Sequence, residues 1–517
     1  MKTVYCNAHI DGRNETALLV EDDLIVSFGN EELKEEADEI VDCEGRTIYP
    51  GMIDSHMHLL ELGRYLSTVR LEDVKNLSGL KEKVTEGLKD LKEGKWLIGR
   101  GWNEELMEEH AMPDKALLDS ISTDHPIALT RACGHIMAVN SRALEIAGIR
   151  EDMELEDGYI HFDTGIVEEN GIRLIEKEEK NDDETELVRW IEAGMKYCNA
   201  HGITSVGSDD FISVTQDWQK VLNVFERMSF QKALTVRVNE QCEFPDIEAF
   251  SKFLDDGYTM FTGNELFMIG PLKLITDGSL GARTAAMQRP YHDDPETSGY
   301  MTMDEDSIRL YTELAARFNM GVICHCIGDE ALETVLRVFE EEVLEGNPLH
   351  HGIVHCQIMH KGQTERVIRK QLCAYFQSLF IDTDASFVKE RAGALLAKTS
   401  YPYKTLLEGT LACNGSDAPV ELPDPFKGME LSVTRTSLKT GDSMNPSESL
   451  TVRQALDSYT INGARVMFSD EYTGSLEEGK KADFCIVSRN IEECDVKKIH
   501  ETEVWMTVMD GKKVYQA

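Results

Sequence analysis

The residues "YPGMIDSHMHLL", 49 to 60, put two histidines one residue apart at the end of an apolar run that follows Pro-Gly. A strand sends residues i and i+2 to the same face, so His56 and His58 are expected to point the same way. Two neutral imidazoles converging on one point make half of a metal site, because histidine is the usual nitrogen ligand for zinc, iron or manganese. Taken alone, the pair could equally be polar residues on an exposed strand end, since a short motif needs its structural context. The rest of any site has to come from elsewhere in the chain.

The elements that must position it can be read from the pattern. Eight strand-like runs occur in order: 52–58, 202–208, 234–240, 272–278, 321–326, 352–357, 373–378 and 411–417. Helix-length stretches separate them, the alternation expected of a parallel (β/α)8 barrel of the TIM type. The long gap after the first run is read as an α/β insertion, residues 65–195, lying over the mouth of the barrel. Short β-like runs also fill both ends of the chain, and Asp510-Gly511 between two of them is a hairpin signal. Neither end is long enough to close a core, so residues 1–52 and 466–517 are expected to form one small β-sandwich beside a barrel domain over 53–465.

Barrel chemistry sits at the C-terminal ends of the strands, and that rule sorts the 15 histidines. His56 and His58 close the first strand, and His325 and His355 lie near the ends of the fifth and sixth. His201, His350 and His351 fall at strand starts and should face the other end. The same rim receives Asp417 from "NGSD" at the end of the eighth strand. Lys273 stands among Leu272, Leu274 and Ile275 in the fourth. A buried lysine is costly unless it is paired or loses its charge. A lysine at a strand edge often snorkels to solvent, but here the five other residues favour a different reason. Reaction with carbon dioxide would turn its amine into a carbamate, an anion able to bridge two cations. Cys324, Cys326 and Cys356 flank the histidines but alternate to the other face, as packing residues.

The charge balance narrows the partners. With 53 Lys+Arg against 94 Asp+Glu the formal net charge is −41, which opposes a phosphate backbone or an anionic membrane. Neither nucleic acid nor membrane is expected as a partner, and a small molecule is. Acidic pieces such as "NEELKEEADE" and "FEEEVLEG" read as solvated faces. The start "MKTVYCNAHIDG" has no apolar core and no small-residue cleavage site, so a cytoplasmic protein is expected. The 12 cysteines show no paired zinc-ribbon spacing and need no disulfide framework. The oligomeric state is open, a homodimer among the options.

Taken together, "PGMIDSHMHL", "GRGWNEE", "GHIMAVNSRAL", "HGITSVGSDD", "KLITDGSLGARTA", "HCIGDEA", "HCQ", "NGSDAPV" and "GSLEEGKKADFCIV" resemble the amidohydrolase superfamily. They resemble in particular the amidohydrolase family 3 branch that includes N-substituted formamide deformylases, and the similarity covers nearly the whole chain. The resemblance implies that His56 and His58 bind a more buried metal and His325 and His355 a more exposed one. It implies further that carboxylated Lys273 bridges the two, and that Asp417 binds metal and carries a proton. The expected cofactor is two zinc ions per chain, with iron or manganese as alternatives. Two departures, "YFQS" in place of a common Gln-Pro and Cys133 in "RACGH" where aspartate is common, lie where substrate would be touched.

The function this implies is hydrolysis of a carbon–nitrogen bond in a non-peptide amide, formamide-like or cyclic, by a metal-activated hydroxide with Asp417 as acid and base. A mononuclear deaminase of a small heterocycle is the rival enzyme, but "HCIGDE" supplies no glutamate at the third position, where such sites usually add one, and Lys273 has no role there. A non-catalytic regulatory protein on the same scaffold would be expected to lose a ligand, and none of the six is missing. For substrate contact the sequence offers Trp102 as a flat apolar wall, His135 and Arg283 as donors, and Gln377. Trp102 could as well be core to the insertion.

Overall fold

The computed structural model describes residues 1–89, 91–151, 153, 158–179 and 183–517. Eight parallel strands form one sheet in chain order: β1 (Met52–Met57), β2 (Ile203–Ser208), β3 (Arg237–Cys242), β4 (Phe267–Ile275), β5 (Val322–Cys326), β6 (Gly352–His355), β7 (Cys373–Phe376) and β8 (Ala412–Asn414). This is a TIM-like barrel, nearly closed. Runs such as "VICHC" and "GIVH" are apolar up to their histidines because both faces of a barrel strand are buried. Helices return between strands, and aspartates start several of them. Asp217, Asp246 and Asp304 each accept an amide from the third residue of the helix that follows, 218–230, 247–255 and 305–317.

The seam between β8 and β1 is held by the loop after β8 rather than by a ladder. Asp417 N donates to His56 O at 2.8 Å, Ser416 N to Asp54 Oδ1 at 3.0 Å, and Ser55 Oγ to Asn414 O at 2.7 Å. Gly415 is required there, since a Cβ would lie 2.7 Å from the His56 nitrogen. The close approach brings Asp417 over the end of β1.

Both termini build the second layer. Strands Lys2–Cys6, Ala17–Glu21, Leu24–Gly29 and Glu39–Asp42 make one sheet. His9–Ile10 and Thr47–Pro50 join Phe484–Val487, Val504–Met509 and Lys512–Gln516 in the other. Tyr5, Leu18 and Val20 from the first pack on Ile48, Phe484, Ile486 and Val508 from the second. Asp510 (φ 54°) and Gly511 (φ 70°) make the two-residue turn that their sequence signalled. A buried ion pair ties this layer to the barrel. Arg237, at the start of β3, meets Asp483 at 2.6 Å and Asp510 at 3.0 Å. Removing one partner of such a pair strands a buried charge and costs about 3–5 kcal/mol. Arg237→Met is therefore expected to lose stability of that order in denaturant unfolding, while Lys replacement loses less. An unchanged midpoint would show that the pair contributes nothing net.

The chain divides into two compact units, Met1–Leu62 with Gly194–Ala517, and Gly63–Ala193. The second has its own six-stranded sheet, in the order Gly158–His161, Ile166–Glu169, Ile136–Val139, Ile127–Arg131, Leu97–Trp102 and Val69–Arg70. Separate apolar clusters pack around it, one with Leu80, Leu118 and Leu129 and one with Val139, Leu144 and Val167. No described helix is long and apolar enough to cross a membrane.

Candidate metal centre

β1 delivers His56 and its continuation His58, β4 delivers Lys273, β5 His325, β6 His355, and the loop after β8 Asp417. The six meet at the C-terminal rim. Asp417 Oδ1 lies 3.3 Å from His56 Nε2 and 3.4 Å from His58 Nε2, and ligand atoms of these three residues fall within 4.8 Å of one another. Lys273 Nζ is 3.4 Å from His56 Nε2. The His56 and His355 rings are 5.8 Å apart, and those of His325 and His355 are 4.4 Å apart.

What the second ring nitrogens touch decides what the first ones can do. His58 Nδ1 faces the Asp209 carbonyl at 2.7 Å, which can only accept. His56 Nδ1 faces Gln241 Oε1 at 2.5 Å, and the amide is oriented because Gln241 Nε2 donates to Ser55 O at 2.9 Å. His355 Nδ1 faces Gln377 Oε1 at 2.8 Å, with Gln377 Nε2 on Tyr375 O. His325 Nε2 faces the Gly278 carbonyl at 3.2 Å. Each of these nitrogens therefore carries the proton, and the other nitrogen presents a lone pair when the ring is neutral, which for His58 requires a metal ion because Asp417 and Asp209 alone hold that ring protonated. Those lone pairs point at Asp417 from His56 and His58, and at each other from His325 Nδ1 and His355 Nε2, 2.9 Å apart. Lone pairs converging on a carboxylate and on one another need a cation between them. The donor set of His56, His58 and Asp417 fits a divalent metal ion.

Electrostatics agree. Asp417 is buried, which opposes its charge, yet its hydrogen bonds to His56 and His58 hold the carboxyl well below its ordinary value. Burial also opposes charge on His58, but the hydrogen bond to Asp417 and the charges of Asp209 and Asp417 outweigh it and raise His58 to about 10. Burial and then the Lys273 charge push His325 down to about 4, and burial with the neighbouring His325 takes His355 well below its ordinary value. So a proton can serve as cation between His58 and Asp417, while nothing of that kind is available between His325 and His355.

The strand ends that hold these groups are strained. His355 (φ 81°) and Asp417 (φ 59°) adopt left-handed backbone, a conformation that costs a non-glycine residue roughly 1–3 kcal/mol and clusters at functional sites.

Several residues that orient the ligands were not singled out in the sequence. Gln241 was missed because the third strand was expected over 234–240, whereas β3 runs Arg237–Cys242. Three successive polar residues, Asn239, Glu240 and Gln241, are buried in it, and a polar run inside a barrel strand is the signal that would have found them. Asp209 serves twice, its carbonyl on His58 and its Oδ2 on Lys273 Nζ at 3.2 Å. Its Oδ1 has no hydrogen-bond partner among the described residues. Asp277 stands 3.4 Å from His325 Nε2 and accepts the amides of Ala286, Ile327 and Gly328. Loss of such an orienting partner typically lowers metal affinity about 10–100-fold. Gln241→Leu is expected to do so in competition with a coloured chelator, and unchanged affinity would reduce Gln241 to packing.

The residues offered for substrate contact are placed as follows. Trp102 is wholly buried in the core of the second unit, its indole N–H donating to Leu129 O at 2.8 Å. His135 is exposed and faces Glu169 at 3.2 Å. Arg283 pairs with Asp293 at 2.9 Å on the loop after β4. Gln377 has both ends of its amide committed to His355 and Tyr375, so the structure gives it an orienting place. Cys324, Cys326 and Cys356 are buried, and His351 accepts the Val322 amide at the start of β5.

Residues 39–515 match the sequence profile described as the amidohydrolase family. The chain belongs to that family. It is similar to a Bacillus subtilis protein named amidohydrolase YtcJ, with 31% identity over 98% of this chain and 97% of that one. It is also similar to an N-substituted formamide deformylase of Arthrobacter pascens, with 23% identity over 98% and 96%. Among solved structures, an uncharacterised metal-dependent hydrolase of Pyrococcus horikoshii superposes with a TM-score of 0.77 at 27% identity, covering 96% of this chain and 99% of that one. Membership of a metal-dependent amidohydrolase family accords with the metal-type donor set at the rim.

Proposed function

We propose that this amidohydrolase cleaves the carbon–nitrogen bond of a non-peptide amide, an N-formyl or other N-acyl amine or a cyclic amide, using two divalent metal ions, zinc being the expected one. The observation that carries the reading is the convergence of four imidazole lone pairs with Asp417 and Lys273 at one rim. The name of the Arthrobacter relative supports the choice of bond. His56, His58 and Asp417 would hold one ion, His325 and His355 the other, with Lys273 carboxylated between them. Bound there, such ions supply Lewis acidity, which acidifies water and polarises a carbonyl.

The chain's own residues then move the proton. Asp417, an acceptor over the ends of β1 and β8, takes it from the attacking water as the oxygen adds to the carbonyl carbon. It returns the proton to the amide nitrogen, a poor leaving group until protonated, as the C–N bond breaks. The new carboxyl group gives up the second water proton to the amine, so the products are a carboxylate and an ammonium, with Asp417 ionised again. Gln241, Gln377 and the Asp209 and Gly278 carbonyls keep the four imidazoles in one tautomer throughout.

The test is a screen of metal-loaded protein over N-formyl amines, N-acyl amino acids, cyclic amides and esters, with elemental analysis of the same sample. Turnover of an amide class with about two ions per chain is expected. Hydrolysis of esters alone would overturn the choice of bond, and one ion with ammonia released from a heterocycle would favour a mononuclear deaminase.

A further inference from the structure

A cavity of about 300 Å³ opens beside β4, between the ends of β3 and β4, and the metal-centre residue Lys273 is part of its wall. Gln216 adds a polar amide, and Ile212, Phe244, Leu274, Met303 and Tyr311 give the cavity a length of apolar wall. One carboxylate interrupts it. Glu243 follows β3 directly, is partly buried, and forms no hydrogen bond or ion pair among the described residues. Lys273 on the same wall meets Asp209 at 3.2 Å, and as the carbamate of the proposed function it would offer Glu243 no cation. A carboxylate held against apolar surface without a partner is unfavourable, and folded chains keep few of them. Burial and the nearby charge of Asp209 push this one up to about 7, against the smaller downward pull of Lys273 and His58.

The cavity therefore combines a length of apolar wall with one unpaired anion, next to the centre at which an amide would be cut. We infer that it is a subsite for the amine half of the substrate, and that Glu243 there binds a second, cationic nitrogen carried on a short methylene chain. The inference rests on the amide-hydrolase reading and names the substrate class within it: an N-acyl amine with a distal ammonium. Methylenes lie along Leu274 and Met303, and the ammonium reaches Glu243. The net charge of −41 works in the same direction, because a strongly acidic protein draws cationic ligands from solution faster than neutral ones.

The experiment compares mono-N-formylputrescine with N-formylpentylamine, which has a methyl group where the first has its ammonium. Metal-loaded protein and its Glu243→Gln variant are assayed with both, and metal content and Tm are measured alongside. The expected result is a kcat/KM at least about tenfold higher for the charged amide, one decade being about 1.4 kcal/mol. In Glu243→Gln that ratio is expected to collapse towards one, with the change in KM rather than kcat. Equal use of the two amides by the unaltered protein, or a ratio that survives the substitution, overturns the subsite while leaving amide hydrolysis standing. If no amide of any class is turned over, the hydrolase reading fails by itself. Titration of putrescine into metal-loaded protein by calorimetry then decides the subsite: heat that vanishes in Glu243→Gln upholds a cation site, and no heat overturns it. Because glutamine keeps the size of glutamate, a variant with unchanged Tm and metal content rules out misfolding, and Glu243→Asp is expected to keep part of the preference.

Discussion

Asp417→Asn is expected to lower kcat at least about a hundredfold, the low end of what a general acid–base group contributes, while metal content falls much less. The side chain keeps its size and one oxygen facing His56 and His58, now at 3.3 and 3.4 Å. What it loses is the capacity to take a proton and give it back. The backbone tolerates the change, because position 417 has φ 59° and asparagine accepts left-handed backbone as readily as any residue other than glycine. The amide of residue 417 also keeps its bond to His56 O. The variant should therefore fold, and the loss should appear in kcat with a metal-loaded sample. A near-normal rate at neutral pH would assign the proton to another group.

Much of this architecture was legible because barrel strands bury both faces and read as apolar runs. β5 and β6 begin and end within about two residues of where their sequences predicted. The rim rule then sufficed to gather His56, His58, His325, His355 and Asp417, since it depends only on where a strand stops. It failed for β3 because that strand turns polar before it ends: Asn239, Glu240 and Gln241 are all buried inside the barrel. A pattern based on apolarity closes such a strand early and drops Gln241 from view. The Asp209 carbonyl was beyond reach for a different reason. A backbone oxygen has no sequence signature, and its place against His58 depends on how the loop after β2 turns. The same holds for the left-handed backbone at His355 and Asp417, which tertiary contacts impose on residues that locally prefer otherwise. Residues offered for substrate contact were the least legible. Nothing in "GRGWNEE" distinguishes a pocket wall from a core indole, and Trp102 lies in the core of its unit.

The substitution Lys273→Ala is expected to remove metal and activity together. Lys273 is 1% exposed, and its Nζ lies between His56 Nε2 at 3.4 Å and Asp209 Oδ2 at 3.2 Å. As a carbamate it would add the one anion that His325 and His355 lack, since Asp417 already serves the other pair of imidazoles. Two cations at neighbouring positions with no anion between them repel one another, so truncation should release at least one of them. Part of the activity should return with added bicarbonate or a short-chain carboxylate, which can enter the space left by the side chain. The alternative is that Lys273 serves only as the partner of Asp209. Truncation then leaves a buried carboxylate without its counter-ion and costs stability, about 3–5 kcal/mol for such a pair, but not metal. Elemental analysis and a melting curve on the same sample separate the two outcomes. Metal loss with rescue by carboxylate identifies a bridging anion. Retained metal and rate, with a lowered Tm, identify a structural ion pair.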